Sequence, residues 1–120
     1  MEDKEIIDEI AKVIDEKKGE DIVVMDLTGV SETLDYFIIV TGSSQMHNKS
    51  MAQEIINSLK KKGVMMSHSE GYPEGEWILL DYGSVIVHIF MEDMRRYYQL
   101  ERLWGDAKFT YIQNSRTSNK

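Results

Sequence analysis

The run EGYPEGEWILLDYGSVIVHIF, residues 70–90, constrains this chain more than any other stretch. It reads as a turn, a strand, a reversal at Gly83-Ser84 and a second strand. A two-residue reversal opposes Tyr82 to Val85 and thereby sets every other pair of the hairpin. Side chains alternate across a pleated sheet, so two faces can be written down. One carries Ile78, Leu80, Tyr82, Val85, Val87 and Ile89, an aliphatic surface suited to a core. The other carries Trp77, Leu79, Asp81, Ile86, His88 and Phe90, mixing aromatics with an acid and an imidazole. That mixture suits a surface that meets another molecule.

The flanking sequence supplies partners for the aliphatic face. Residues 5–18 space Ile6, Ile7, Ile10, Val13 and Ile14 as one side of a helix, with Gly19 placed to end it. A short apolar strand spans 21–27 and a connection 29–34. The run DYFIIVT, residues 35–41, is nearly continuous β-branched and aromatic sequence, as in a strand covered on both faces. Gly42-Ser43-Ser44 breaks it, and a serine there can cap a helix over 45–62 with Met51, Ala52, Ile55, Ile56 and Leu59 in line. Lys60 to Lys62 complement the negative end of that helix, and Gly63 stops it. Residues 64–67 suggest a short strand, 92–104 a third helix, and 109–112 a last extended piece. The polar stretch 113–120, QNSRTSNK, is expected to be a flexible tail beyond a domain of residues 1–112. The order predicts an α/β chain: a single-domain mixed β-sheet with helices packed mainly on one face.

Composition narrows the function classes. A length of 120 residues suffices for one core without staples. The absence of cysteine removes disulfides, a thiol nucleophile and thiolate metal sites. The charged opening MEDKEIIDEI is no secretory signal, and no apolar run approaches the roughly 20 residues of a membrane span. A cytoplasmic protein with no membrane partner is therefore expected. Net charge is -7, from 21 acidic and 14 basic residues. That balance opposes binding to phosphate backbones, and it either favours encounter with a basic protein or merely keeps a small protein soluble. Lys60 to Lys62 read as a solvated helix end, with an RNA contact after docking as the alternative.

Two kinds of site compete. Gly42-Ser43-Ser44, between a strand and a helix, could hold a phosphate on free backbone N–H groups. Nucleotidyl transfer also needs paired acids to hold a divalent metal, whereas the strands offer Asp26 and Asp81 singly. His47, His68 and His88 lack the spacing of metal ligands on one element. Neither a cofactor, a metal site nor a catalytic residue is expected, and the chain reads as a binding protein. Trp77 has the character of an interface hot spot, with Leu79 and Asp81 beside it. The bland alternative roofs this face with a helix, and Asp81 and His88 then need buried partners. Residues Arg95, Tyr98 and Leu100 of the third helix either extend the docking surface or belong to the core, with Arg95 and Glu101 paired across a turn.

The ordered set DYFIIVTGSS at 35–44, His47, LKKKG at 59–63, EGYPEGEWILLDYG at 70–83, VHIF at 87–90 and YYQLERLWGDA at 97–107 resembles the ribosomal silencing factors, or Iojap-related proteins. The resemblance covers about residues 5–112. Ser84 and Asn48 depart from it, standing where that family commonly has Asp and an aliphatic residue. It implies a nucleotidyltransferase-like fold and a translation repressor. It further implies docking on ribosomal protein fourteen of the large subunit, a steric block to joining of the subunits under nutrient limitation, and a homodimer when free. No direct sequence-specific nucleic acid binding is implied. The partner-binding residues expected on this basis are Trp77, Leu79, Asp81, Tyr82, His88, Arg95, Tyr98 and Leu100.

Overall fold

A computed structural model of the chain describes residues 1–112; the expected tail, 113–120, lies outside the described residues. The elements are α1 (Asp3–Glu16), β1 (Glu20–Asp26), β2 (Tyr36–Gly42), α2 (Gln45–Lys61), β3 (His68–Glu70), β4 (Trp77–Asp81), β5 (Val85–Met91), α3 (Glu92–Tyr98), α4 (Leu100–Leu103) and β6 (Lys108–Ile112). The strands form one sheet in the order β3-β4-β5-β2-β1-β6. Only β2 and β5 run parallel; every other neighbouring pair is antiparallel. The architecture is the mixed α/β sheet expected from the sequence.

The hairpin carries the anticipated register. Trp77 opposes Phe90 and Asp81 opposes Ile86, and the Tyr82 N–H donates to the Val85 carbonyl at 2.9 Å. Gly83 sits at φ +88°, a left-handed conformation that a side chain would strain. The Asp81 carboxylate accepts from the Gly83 N–H at 2.7 Å and tightens the reversal. Ser84 donates to Asp3 at 2.6 Å, so the hairpin tip is tied to the first turn of α1.

Two cores lie on opposite sides of the sheet. On the aliphatic side, Ile38, Val40, Ile78, Leu80, Val87 and Ile89 pack against α1 and α2. The apolar lines of those helices, Ile6, Ile10, Val13 and Ile14 with Met51, Ala52, Ile55 and Leu59, are buried there. Burying one such side chain contributes about 1.5–3 kcal/mol, which makes this face the main source of stability. On the other side Val23, Met25, Phe37, Ile39 and Phe90 form a smaller core, closed by Met94, Leu100, Trp104 and Phe109. Strand β2 is central and buried on both faces, as its unbroken apolar run predicts.

Three local expectations are corrected. Gly19 does not supply the left-handed residue that ends α1; Lys18 does, at φ 66°. Gly19 is required for space instead, because a Cβ there would stand 2.5 Å from Ile14 Cγ2 and 2.6 Å from Val40 Cγ2. The strand expected over 64–67 lies at His68–Glu70, where pairing with β4 begins; the Ser67 N–H still reaches the Asp81 carbonyl at 2.9 Å. The helix expected over 92–104 is broken at Gln99, φ 46°, into α3 and the single turn of α4. The break turns Leu100 and Trp104 onto the second core, which a straight helix could not do while keeping Met94 there.

Candidate protein-docking surface

Strand β4 places Trp77, Leu79 and Asp81 on the side away from α1 and α2, all three half-buried. Directly opposite residues of an antiparallel pair share a face. Hence Glu70, opposite Leu79, and His68, opposite Asp81, stand beside them on the exposed strand β3. His68 and Glu70 pair at 2.7 Å. This end of the sheet therefore presents an apolar strip edged by two carboxylates.

Helix α3 closes the strip on its other side. The Trp77 ring packs 4.6 Å from Tyr98 and 4.9 Å from Phe90, between centroids. Tyr98 is 43% exposed and meets Tyr97 edge to face at 5.0 Å. Tyr97 and Leu103 are 79% and 71% exposed, and Tyr97, through Tyr98, extends the apolar surface onto α3. Such offset and tilted ring contacts are worth about 0.5–1.5 kcal/mol each beyond burial and leave the aromatic group rigid.

Beneath Trp77 lies His88, 4% exposed. The Trp77 Nε1–H donates to His88 Nδ1 at 3.1 Å. The imidazole meets the Phe37 ring edge to face at 4.5 Å and stacks on Phe90 at 6.0 Å. Burial pushes its pKa down to about 4, so it is neutral at physiological pH. Since Nδ1 accepts, the proton resides on Nε2, which is buried without a partner among the described residues.

Arg95 has a different setting. Its side chain is 11% exposed, with Nη2 on Glu101 at 2.9 Å and Nη1 on the Asp21 carbonyl at 2.7 Å and the Thr41 hydroxyl at 2.9 Å. Strand β1 bulges between Glu20 and Val23, with Asp21 at φ 53°, and Arg95 holds the carbonyl of that residue. Arg95 thus fastens α3 and α4 to the sheet, and the pairing with Glu101 is the one weighed from sequence. An open cleft of about 540 Å³ lies beside it, lined by Arg95, Arg96 and Arg102 against Asp21, Glu92 and Glu101. Those charges balance.

Of the eight residues singled out from the sequence, the structure brings together Trp77, Leu79, Asp81 and Tyr98 at the surface. His88 and Leu100 lie directly below, in the second core or against it. Tyr82 is on the opposite face, packed against the aliphatic core, its hydroxyl buried without a partner among the described residues. The acidic edge at Glu70 and the exposed pair Tyr97 and Leu103 were missed by sequence reasoning. The signal was available: YYQL cannot bury three large residues on one side of a helix.

The rival site is engaged in part from within. The Ser43 N–H donates to His47 Nδ1 at 2.9 Å, and the His47 N–H donates to the Ser44 hydroxyl at 3.0 Å. His47 Nε2 lies 2.7 Å from the Lys17 carbonyl, tying the start of α2 to the end of α1. Among the described residues no group of three His, Asp or Glu side chains could hold a metal ion. No helix among them is long and apolar enough to cross a membrane.

A family model described as ribosomal silencing factor during starvation matches residues 1–120. The chain belongs to the ribosomal silencing factor family. It is 41% identical over 107 residues to the ribosomal silencing factor RsfS of Bacillus subtilis, covering 89% of this chain and 91% of that one. It is 39% identical over 100 residues to the RsfS of Haemophilus influenzae, covering 83% and 98%. A crystal structure of a protein from Chromobacterium violaceum superposes with a TM-score of 0.84 at 33% identity, covering 97% of this chain and 98% of that chain. The Bacillus subtilis and Haemophilus influenzae relatives are named as silencing factors.

Proposed function

We propose that this protein represses translation from the cytoplasm by docking on a basic protein of the large ribosomal subunit. Large-subunit protein fourteen is the partner implied by the family resemblance. The bound domain then occupies space that the small subunit needs. The observation that carries this reading is the strip Trp77, Leu79 and Asp81 beside Tyr98, half-buried or exposed and edged by Glu70. Aromatic anchors within a charged rim are how specific interfaces gain both affinity and register. The carboxylates and a net charge of -7 complement a basic partner. An interface of ordinary size buries about 800 Å² per partner, within the reach of one strand pair and one helix. Repression of this kind needs affinity and position, with no bond made or broken.

The same surface serves a homodimer in the free protein, and a face paired with itself is withheld from the ribosome until dilution or competition frees it. A strict monomer in sedimentation at high protein concentration would contradict this part. The nucleotide-binding alternative at Gly42 to Ser44 is disfavoured because two of the N–H groups at that turn, those of Ser43 and His47, are already engaged by His47 Nδ1 and the Ser44 hydroxyl. Titration calorimetry with ATP and magnesium should give no saturable heat; clear saturation would revive the alternative. The docking reading is tested by co-sedimentation with purified large subunits. Wild-type protein should pellet with them and Trp77→Ala, still folded, should not. Undiminished pelleting of that variant would remove Trp77 from the surface.

A further inference from the structure

We infer that His88 is a positioning residue: it holds the Trp77 indole in the pose the partner meets, without touching the partner itself. The inference rests on the docking surface proposed above and assigns a role beneath it.

The first ground is accessibility. At 4% exposure, His88 lies below Phe90, Phe37 and Trp77 and offers little surface to another protein. The second is the bond. Trp77 is half-buried, yet its sole polar group is turned inward onto His88 Nδ1 at 3.1 Å. What the indole offers a partner is therefore apolar ring surface, and its N–H is spent within the chain. A docking pocket on the partner must then be lined by aliphatic or aromatic groups and needs no acceptor for that N–H.

The third ground is the cost of using histidine here. With Nδ1 accepting, the Nε2–H is buried and has no partner among the described residues, and such a group is expensive to desolvate. A phenylalanine would fill the space between Phe37 and Phe90 without that penalty. The imidazole does one thing that a hydrocarbon ring cannot, which is to accept the indole proton. Phe90 and Tyr98 limit the tilt of the Trp77 ring, and the bond to His88 selects its rotation. A side chain fixed before binding loses less entropy on docking than one that must be ordered by it.

The test uses the full chain with nitrogen-15 label and purified large subunits. In the wild type, His88 nitrogen shifts should report the Nε2–H tautomer, and the Trp77 indole proton, assigned through Trp77→Phe, should exchange slowly. The other tautomer, or a rapidly exchanging Trp77 indole, would overturn the inference without any variant at His88. In His88→Phe the Trp77 indole resonance should move and its exchange accelerate, and affinity for large subunits should fall by about tenfold, the loss of one ordering interaction. In His88→Asn, whose Oδ1 can accept in place of Nδ1, both should return most of the way. Wild-type affinity or an unmoved indole resonance in folded His88→Phe would overturn the positioning role alone. Unchanged affinity in Trp77→Ala would instead sink the docking surface, and the role with it.

Discussion

Two buried polar groups carry the clearest consequences at the scale of single residues. The Tyr82 hydroxyl is buried against the aliphatic core without a partner among the described residues, and burial raises its pKa to about 12. A group of that kind opposes folding, so Tyr82→Phe should leave the fold intact and raise stability by about 1 kcal/mol in chemical denaturation. A loss of stability would mean that the hydroxyl has a partner. His88 gives a pH dependence. Its folded pKa, about 4, lies below the unfolded value of 6.5, so between those two pH values the unfolded chain binds more protons. Stability then rises with pH through this window and is lost as pH falls from about 6.5 to 4, by on the order of 3 kcal/mol. Thermal melts of the wild type and of His88→Phe at pH 7 and pH 4.5 should show a smaller acid loss in the variant. Equal losses would mean that the imidazole is not held neutral by burial.

At the scale of elements, Arg95 is the fastening between α3, α4 and the sheet. Removing its guanidinium leaves Glu101 and the Asp21 carbonyl without their charged partner in a poorly hydrated place. Arg95→Met should therefore destabilise the domain by about 2–3 kcal/mol, less than a fully buried pair because Glu101 keeps some solvent. It should also weaken large-subunit binding by letting Tyr98 leave Trp77. Unaltered stability in denaturant melts would place the fastening elsewhere. The same elements show where sequence was legible and where it was not. The hairpin register, the two-sided burial of β2 and the apolar line of α2 follow from alternation and periodicity, which are local. The break at Gln99 and the bulge at Asp21 are not local. Each is stabilised by a contact between distant parts of the chain, Arg95 on the Asp21 carbonyl and Leu100 on the second core. Gly19 looked like a helix stop by composition, whereas its necessity arises from Val40, a residue on another element. In the candidate site, Trp77, Leu79 and Asp81 were legible because strand alternation groups them. Tyr82 belongs to the opposite face by that same alternation, and the burial of His88 depends on α3 and Phe37, which no pattern in β5 displays.

For the whole molecule, the two faces of one sheet have unequal duties. The aliphatic face, packed by two long helices, buries the larger core, and the other face carries a smaller core that α3 and α4 help to close. Trp77, on β4 beside β3, packs at the rim of that smaller core and keeps part of its ring at the surface. An acidic chain that meets a basic partner should associate more weakly as salt rises, since charge pairs at an interface rim are screened within about 8 Å at physiological ionic strength. A flat salt response in sedimentation would indicate a mainly apolar contact. The most direct measurement mixes the protein with purified small and large subunits and follows whole-ribosome formation by light scattering. Wild-type protein should suppress joining in proportion to its occupancy of large subunits, and folded Trp77→Ala should neither bind nor suppress. Undisturbed joining at saturating occupancy, or full suppression by the variant, would contradict a steric block through this surface.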